Sequence, residues 1–468
     1  MGKKYEFTVL GGGSAGLSAL EFATKLGVKT VLIEKNKIGG DCTWFGCIPS
    51  KTLIKSARVA YEMRNADKFG LNSINPVIDL EKVMNHVQKV IQEVYALETP
   101  EVIRKKGVDV IIGSPSFISP KKIRVNGEEI EANKILICTG ASPIIPNILG
   151  LKETNYHTYE SIFSLKKLPK TMIIIGGGPV GSELAQAFNR LGSKIIMVVR
   201  SPHLLKKEET ETSELLKDVF QKEGITVHLN ANIQRVWEDT EGIHVQNGDV
   251  ELIGDLLLVA TGRKPQFGSL NLDNAKIKHD NSGILVNKYL QTSEDHIYAA
   301  GDCIANNPQF THYAAWQAFI ATRNALLAGS SEGKKAYVPI TIFTDPEVAH
   351  IGITEDQAQK QGIKVMTHFF QLDKVDRIRT DRDRGFIKLI MSSEEALLGV
   401  TVVGNRAGEM IQEWIAVLDE KMTLKDVMGL IHVYPTYSSG NQQIAMECLL
   451  DRMLSGSKVR IAKFLGKF

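Results

Sequence analysis

Long apolar runs are missing from this chain of 468 residues: nowhere do 18 apolar residues follow one another, so no membrane-spanning helix is expected. Charge of one sign is missing too. Lys and Arg number 56 against 53 Asp and Glu, a net of +3 without a dense basic block, which argues against nucleic acid or an anionic membrane as partner. Cysteine is scarce. The five residues Cys42, Cys47, Cys138, Cys303 and Cys448 are too few and too odd in number for a secreted disulfide framework, and a reducing cytoplasmic setting fits better. No leader is expected, because Glu6 interrupts the apolar stretch after Met1-Gly2-Lys3-Lys4. Glu6 in place of Ser or Thr also argues against myristoylation of Gly2. With 43% apolar and 23% charged residues, disorder, collagen-like repetition and coiled coil are excluded. At roughly 150 residues per domain the length predicts about three domains.

Glycine is in surplus: 40 residues exceed the roughly 7% of an average chain, and the excess falls in tight clusters. One unit occurs twice. Tyr5 to Leu10 reads as a strand, Gly11-Gly12-Gly13-Ser14-Ala15-Gly16 as a turn, Leu17 to Leu26 as a helix and Thr30 to Ile33 as a second strand closed by Glu34. The second copy runs from Met172 to Ile175 through Gly176-Gly177-Gly178-Pro179-Val180-Gly181, a helix to Arg190 and a strand Lys194 to Val199. In such a unit the first glycine makes the turn, the second admits a pyrophosphate and the third packs helix on strand. The helix amino terminus offers unpaired N–H groups to the phosphates. A bare G-x-G-x-x-G could be a surface turn, but two copies with matching flanks predict two dinucleotide sites.

The residue 23 positions after the leading glycine distinguishes the copies. In the first it is Glu34, a carboxylate suited to the ribose hydroxyls of FAD or NAD; in the second it is Val199, followed by Arg200, His203, Lys206 and Lys207. Cations without an acid favour a 2′-phosphate, since guanidinium forks match its geometry. NADPH is therefore expected over NADH, the alternative being a solvated basic loop.

Between the copies lies Gly39-Gly40-Asp41-Cys42-Thr43-Trp44-Phe45-Gly46-Cys47-Ile48-Pro49-Ser50-Lys51. No second cysteine pair or nearby histidine completes a zinc site, so no bound metal is expected. Two cysteines five apart at a helix start suit a redox-active dithiol, with thiolates favoured by the helix dipole.

These residues resemble the class I pyridine nucleotide-disulfide oxidoreductases, the flavoprotein family of dihydrolipoamide dehydrogenase, glutathione reductase and mercuric reductase. The likeness extends to Ile137-Cys138-Thr139-Gly140-Ala141, Val259-Ala260-Thr261-Gly262-Arg263, Ile297-Tyr298-Ala299-Ala300-Gly301-Asp302 and Gly404-Asn405-Arg406-Ala407-Gly408-Glu409. It implies an α/β fold with two Rossmann-like dinucleotide-binding domains, for FAD and NAD(P), and an α+β interface domain forming a homodimer. The expected boundaries are 1–145 and 271–335 for the two FAD segments, 146–270 for the nucleotide domain and 336–468 for the interface. Helices are expected over Cys42 to Arg64 and Leu80 to Lys105.

The resemblance also implies roles. Cys42 would be the interchange thiol, Cys47 the thiol facing the flavin and entering a charge-transfer complex, and Lys51 a flavin neighbour paired with Glu183. Cofactor contacts would fall on Gly11, Gly13, Ser14, Ala15, Gly16, Glu34, Lys35, Gly40, Lys51, Gly113, Thr139, Gly140, Ala141, Gly301 and Asp302, and on Gly176, Gly178, Val180, Gly181, Glu183, Arg200, Lys206 and Gly262.

Departures come near the carboxyl end. Where the disulfide reductases carry H-P-T-x-S-E, this chain has Tyr434-Pro435-Thr436-Tyr437-Ser438-Ser439, so Tyr434 replaces the acid–base histidine and Ser439 the glutamate that orients it. A phenol is a poor base at neutral pH. His432 lies two residues away and reads as a structural histidine before a turn. Mercuric reductase shares the tyrosine, but its carboxyl-terminal cysteine pair and amino-terminal metal-binding domain have no match here. Asp41 should disfavour a Cys42 thiolate, and Trp44 either narrows the substrate site or packs under the helix. The reading is an FAD-dependent NAD(P)H oxidoreductase passing electrons through Cys42 and Cys47 to a small thiol-reactive acceptor or metal ion. The alternatives are a dihydrolipoamide dehydrogenase, a quinone diaphorase with idle cysteines, or a flavin-binding redox sensor with little turnover.

Overall fold

The computed structural model describes residues 3–455; Gly2 and the last part of the 336–468 stretch lie outside them. The chain forms two compact units, one of residues up to Arg200 together with Glu223–Lys335, the other of Ser201–Lys222 with Ala336 onward.

The first unit holds two sheets built around parallel strands. In one, β1 (Lys3–Leu10), α1 (Ser14–Lys25) and β2 (Thr30–Glu34) form the predicted strand–turn–helix–strand unit. Two helices follow, α2 (Gly40–Trp44) and α3 (Cys47–Arg64), then α4 (Leu80–Tyr95) and α5 (Pro100–Lys105). The sheet is completed by β3 (Asp109–Ile112), the hairpin β4 (Ser116–Ser119) and β5 (Lys122–Val125), and β6 (Glu128–Ile137). Strands β3, β2, β1 and β6 lie side by side in parallel, Ile297–Ala299 adds a parallel strand to the far half of β6, and β5 pairs antiparallel with its near half. The unbroken apolar runs of β1, β2 and β6 follow from burial on both faces: Phe7, Val9, Leu32, Ile33, Ile135 and Leu136 are fully buried.

After β7 (Ala141–Pro143), which pairs with Arg263–Pro265, the second copy gives β8 (Thr171–Ile175), α6 (Pro179–Leu191) and β9 (Lys194–Val198). Its parallel sheet runs Thr226–His228, β9, β8, Leu256–Val259. Both halves are therefore Rossmann-like.

Two of the expected helices are broken. The helix foreseen over Cys42 to Arg64 is interrupted at Phe45 and Gly46, and a side chain at Gly46 would lie 3.0 Å from the Asp41 carbonyl oxygen. The helix foreseen over Leu80 to Lys105 stops at Tyr95 because Pro100 forces an extended Thr99, which restarts the chain by accepting the Val102 N–H at 3.3 Å.

In the second unit an antiparallel sheet of five strands, in the order Ile340–Ile342, Glu347–Gly352, Leu397–Gly404, Phe386–Ser392, Val365–Gln371, packs against helices including Ala407–Asp419. Trp414 fills its core. The segment Ser201–Lys222, inside the stretch read as nucleotide-binding, packs here. Buried Lys388 holds it, with Nζ 2.9 Å from Glu209, 2.8 Å from Glu211 and 2.7 Å from Glu355. Among the described residues no helix is long and apolar enough to cross a membrane.

Candidate redox site and cofactor cradles

Gly39 and Gly40 adopt positive φ of 104° and 59° where α2 begins. At its other end the N–H groups of Phe45 and Gly46 both donate to the Asp41 carbonyl, a tight turn into α3 that brings Cys42 to Cys47. A hydrogen bond from the Cys42 thiol is the largest influence on Cys47, ahead of the opposing effect of burial and the further help of Thr311 and Lys51; together they hold Cys47 down at about 6. The same hydrogen bond, with burial, pushes Cys42 upward. Cys47 is thus the thiolate of the pair and Cys42 the proton-bearing thiol. Thr311 Oγ1 lies 3.4 Å from Cys47 Sγ. One turn along α3, Lys51 Nζ reaches Glu183 Oε2 of α6 at 2.8 Å, with Glu183 buried. The other three cysteines are buried, and burial pushes Cys303 and Cys448 up to about 12, so they stay protonated near neutrality.

Asp41, expected to oppose a thiolate at Cys42, is instead neutralised. Its Oδ2 accepts from Arg263 Nη2 at 2.6 Å and from the Tyr159 hydroxyl at 3.0 Å. The other arm of Arg263 meets Asp302 Oδ2 at 2.9 Å. Burial raises the Asp302 pKa, and Arg263 opposes that rise. Trp44 is not among the residues lining the cavity at Cys42, and it packs: its Nε1 donates to Ile38 O at 2.7 Å and its ring lies 4.8 Å from that of Tyr95.

The residues read as FAD contacts fit a dinucleotide. A Cβ on Gly11 would collide with the Cys138 carbonyl, and one on Gly16 with the Gly11 carbonyl. Gly13 and Gly40 touch backbone to backbone, 2.7 Å from a Cβ built on Gly40 to the Gly13 Cα. Glu34 is fixed at the end of β2 by the N–H groups of Gly12, at 2.6 Å, and Asn36, at 2.7 Å. Gly113 N–H donates to the Glu34 carbonyl at 2.8 Å, while Lys35 is exposed. Ser14 and Ala15 open α1, Gly301 abuts Ala314 and Ala15, and Ala141 starts β7 after Gly140, whose φ is 71°. The Thr139 hydroxyl is buried without a protein partner. An orphaned donor beside a glycine cradle is what a bound cofactor would satisfy.

The second cradle repeats this geometry. Cβ atoms on Gly176 and Gly181 would strike the carbonyls of Ala260 and Gly176, Gly178 is open, and Val180 sits in the first turn of α6. Gly262 has φ 129° and lies 3.5 Å, by its built Cβ, from Ile144. Val199 is buried, and Arg200, which ends this part of the first unit, is exposed. Lys206 is exposed and belongs to the second unit.

Also in the second unit, Tyr434 is 70% exposed and donates to Asp376 at 3.0 Å, a bond that raises its pKa further from neutrality. Ser439 Oγ donates to the Thr436 carbonyl at 2.6 Å. His432 Nε2 lies 2.9 Å from Glu413, which also accepts from Asn441 at 2.8 Å.

The family model of pyridine nucleotide-disulphide oxidoreductases matches residues 5–318, and that of their dimerisation domain matches 338–444. The chain belongs to this family. A mercuric reductase from Lysinibacillus sphaericus is 35% identical over 94% of the chain and 82% of its own length. A dihydrolipoyl dehydrogenase from Thermus scotoductus is 33% identical over 95% and 97%. A solved Cu(II) complex of the HOCl-induced flavoprotein disulfide reductase RclA from Escherichia coli superimposes with TM-score 0.84 at 27% identity, covering 93% of this chain and 98% of that one. The protein is thus an oxidoreductase of the type that uses FAD and a pyridine nucleotide and acts on sulfur groups or metal ions. Sequence reasoning missed Tyr159, Thr311 and Glu98, and did not foresee Arg263 as the partner of Asp41. Nothing local marks them, since each reaches the dithiol region from a distant stretch of chain.

Proposed function

We propose that this oxidoreductase draws electrons from NADPH and delivers them through Cys42 and Cys47 to a small thiol-reactive acceptor, a low-molecular-weight disulfide or a soft metal ion. The observation that carries the reading is the asymmetric dithiol, in which the hydrogen bond between the two sulfurs lowers the Cys47 pKa and raises that of Cys42, next to the Lys51–Glu183 pair. FAD, when bound, relays two electrons from the nicotinamide to the cysteine pair. Lys51 provides a fixed cation at that place, and Glu183 fixes its direction. Cys47 is poised to attack Cys42 Sγ once Cys42 is bonded to an acceptor, closing the disulfide and releasing product.

The absence of an acid at Val199 and the exposed Arg200 support NADPH over NADH. The mercuric reductase relative and the copper-bound RclA structure support a metal ion among the acceptors. The dimerisation-domain match, with Ile431 98% and Val433 76% exposed, supports a homodimer. Five cysteines, too few and too odd in number for a secreted disulfide framework, support a reducing cytoplasm.

Anaerobic NADPH titration followed by a panel of acceptors tests the proposal. A thiolate–flavin charge-transfer band should develop, kcat/KM should favour NADPH, and Cys42→Ser should abolish reduction of disulfides and metal ions. If Cys42→Ser spares turnover and only quinones accept electrons, the enzyme is a diaphorase and the cysteines are bystanders. No turnover with any acceptor would make it a flavin-binding sensor.

A further inference from the structure

Cys42 carries a proton that must leave before its sulfur can attack anything. The histidine that would remove it in related disulfide reductases is here Tyr434, which donates to Asp376 and is no base near neutrality. Within the first unit, a cavity of about 590 Å³ opens on Cys42, and its wall includes Ser14, Ser18, Thr43, Glu98 and Lys106. Its charged groups are Glu98, Lys106 and Glu21. Glu21 is 72% exposed and pairs with Lys25 at 3.3 Å. Glu98 is different. It closes the turn between α4 and α5, its Oε2 accepts from the hydroxyl of Thr43, the residue next to Cys42, at 3.1 Å, and it lies so close to Gly39 that a Cβ there would stand 2.9 Å from the carboxylate.

We propose that Glu98 is the acid–base residue of the oxidative half-reaction, taking the Cys42 proton and returning it to the departing thiol of a small disulfide. This role rests on the dithiol reading above. Burial raises the Glu98 pKa, with the Thr43 hydrogen bond opposing. The Glu98 carboxylate removes the Cys42 proton. Cys42 Sγ then attacks one sulfur of RS–SR, the S–S bond breaks, a Cys42–S–SR bond forms, and the leaving RS⁻ keeps the electron pair and takes the proton from Glu98. Cys47 thiolate next attacks Cys42 Sγ, the intramolecular disulfide forms, and the second RS⁻ takes a proton from solvent. One thiol, one thiolate, one solvent proton and RSSR give the enzyme disulfide and two RSH.

The test uses the FAD-loaded enzyme with NADPH and bis(2-hydroxyethyl) disulfide, a neutral probe small enough for the cavity. Glu98→Gln should lower disulfide reduction about 100-fold, a typical loss for an acid–base group, while reduction of menadione stays within twofold. In the reduced enzyme, alkylation of Cys42 by iodoacetamide at pH 7, located by peptide mass spectrometry, should slow in parallel. Glu98→Asp, which keeps the carboxyl but withdraws it, should retain more activity than Glu98→Gln, and it carries the same comparison if the glutamine variant fails to fold. Disulfide reduction and alkylation both within threefold of the parent in these variants would overturn the role of Glu98 while leaving the dithiol reading intact, provided Cys42→Ser is inactive. A Cys42→Ser enzyme that still reduces the disulfide overturns the dithiol reading, and the role of Glu98 with it.

Discussion

Arg263 is the residue whose loss should be felt most widely in the first unit. Its guanidinium joins Asp41 at 2.6 Å and Asp302 at 2.9 Å, and its Nε donates to the Tyr159 hydroxyl at 3.3 Å. Arg263→Met removes the charge and keeps much of the stem. Breaking a buried pair from one side costs about 3–5 kcal/mol, because the remaining carboxylate stays desolvated. Asp302 is 11% and Asp41 30% exposed, so water reaches Asp41 and the lower end, about 3 kcal/mol, is expected. At roughly 2 °C per kcal/mol for a large domain, the unfolding midpoint should fall by about 6 °C. The pH dependence gives an independent check. The Asp302 pKa is already raised in the native state by burial, and loss of Arg263 raises it further. A carboxyl whose folded pKa exceeds its unfolded value binds more protons when folded, so the variant should regain stability as pH falls. Thermal unfolding by near-ultraviolet circular dichroism at pH 7 and 5 measures both effects, with Arg263→Met/Asp302→Asn as the paired variant recovering part of the loss. A single variant as stable as the parent at pH 7, or one that loses further stability on acidification relative to the parent, would refute the reasoning.

In the second unit, Lys388→Met leaves Glu209, 3% exposed, without its cation, and should lower stability by about 3 kcal/mol in urea unfolding, with Lys388→Met/Glu209→Gln recovering part of it. Burial lowers His350 to about 4, so the native state resists the proton that the unfolded chain accepts; stability should fall as pH drops from about 6.5 to 4, and His350→Asn should flatten that slope. The Cys47 thiolate should titrate with a midpoint near pH 6 in the 240 nm absorbance of the reduced enzyme, and Lys51→Met should move that midpoint upward. Gly181→Ala should raise the KM for the pyridine nucleotide, because the new methyl meets the Gly176 carbonyl where α6 packs on its strand; an unchanged KM would count against this cradle.

The two strand–turn–helix–strand units were legible because their signals are local. Gly11 to Gly16 and Gly176 to Gly181 must be glycines where a Cβ would strike a carbonyl, and the strands on either side are apolar because both faces are covered. Glu34 stands where its offset put it, at the end of the second strand, and its carboxylate accepts from the Gly12 N–H. Helix breaks were harder. Gly46 and the Thr99-Pro100 step mark the breaks in the sequence, but whether the chain turns there or runs on as one helix was decided by the backbone course.

The charges around the dithiol were the least legible. Asp41 looked hostile to a thiolate because its carboxylate stands next to Cys42 in the chain, yet a guanidinium more than two hundred residues away neutralises it. The asymmetry between Cys42 and Cys47 likewise depends on a hydrogen bond between them and on Thr311. By itself the sequence determined which backbone positions tolerate no side chain, which strands are buried, and which cysteines are spaced to meet, all properties of neighbours along the chain. Only the tertiary structure decided which thiol keeps its proton, which carboxylates are paired and which one faces the cavity at Cys42. Electrostatic energies depend on distance through space, and folding brings Asp41, Glu98, Arg263 and Thr311 together from stretches that share no local pattern.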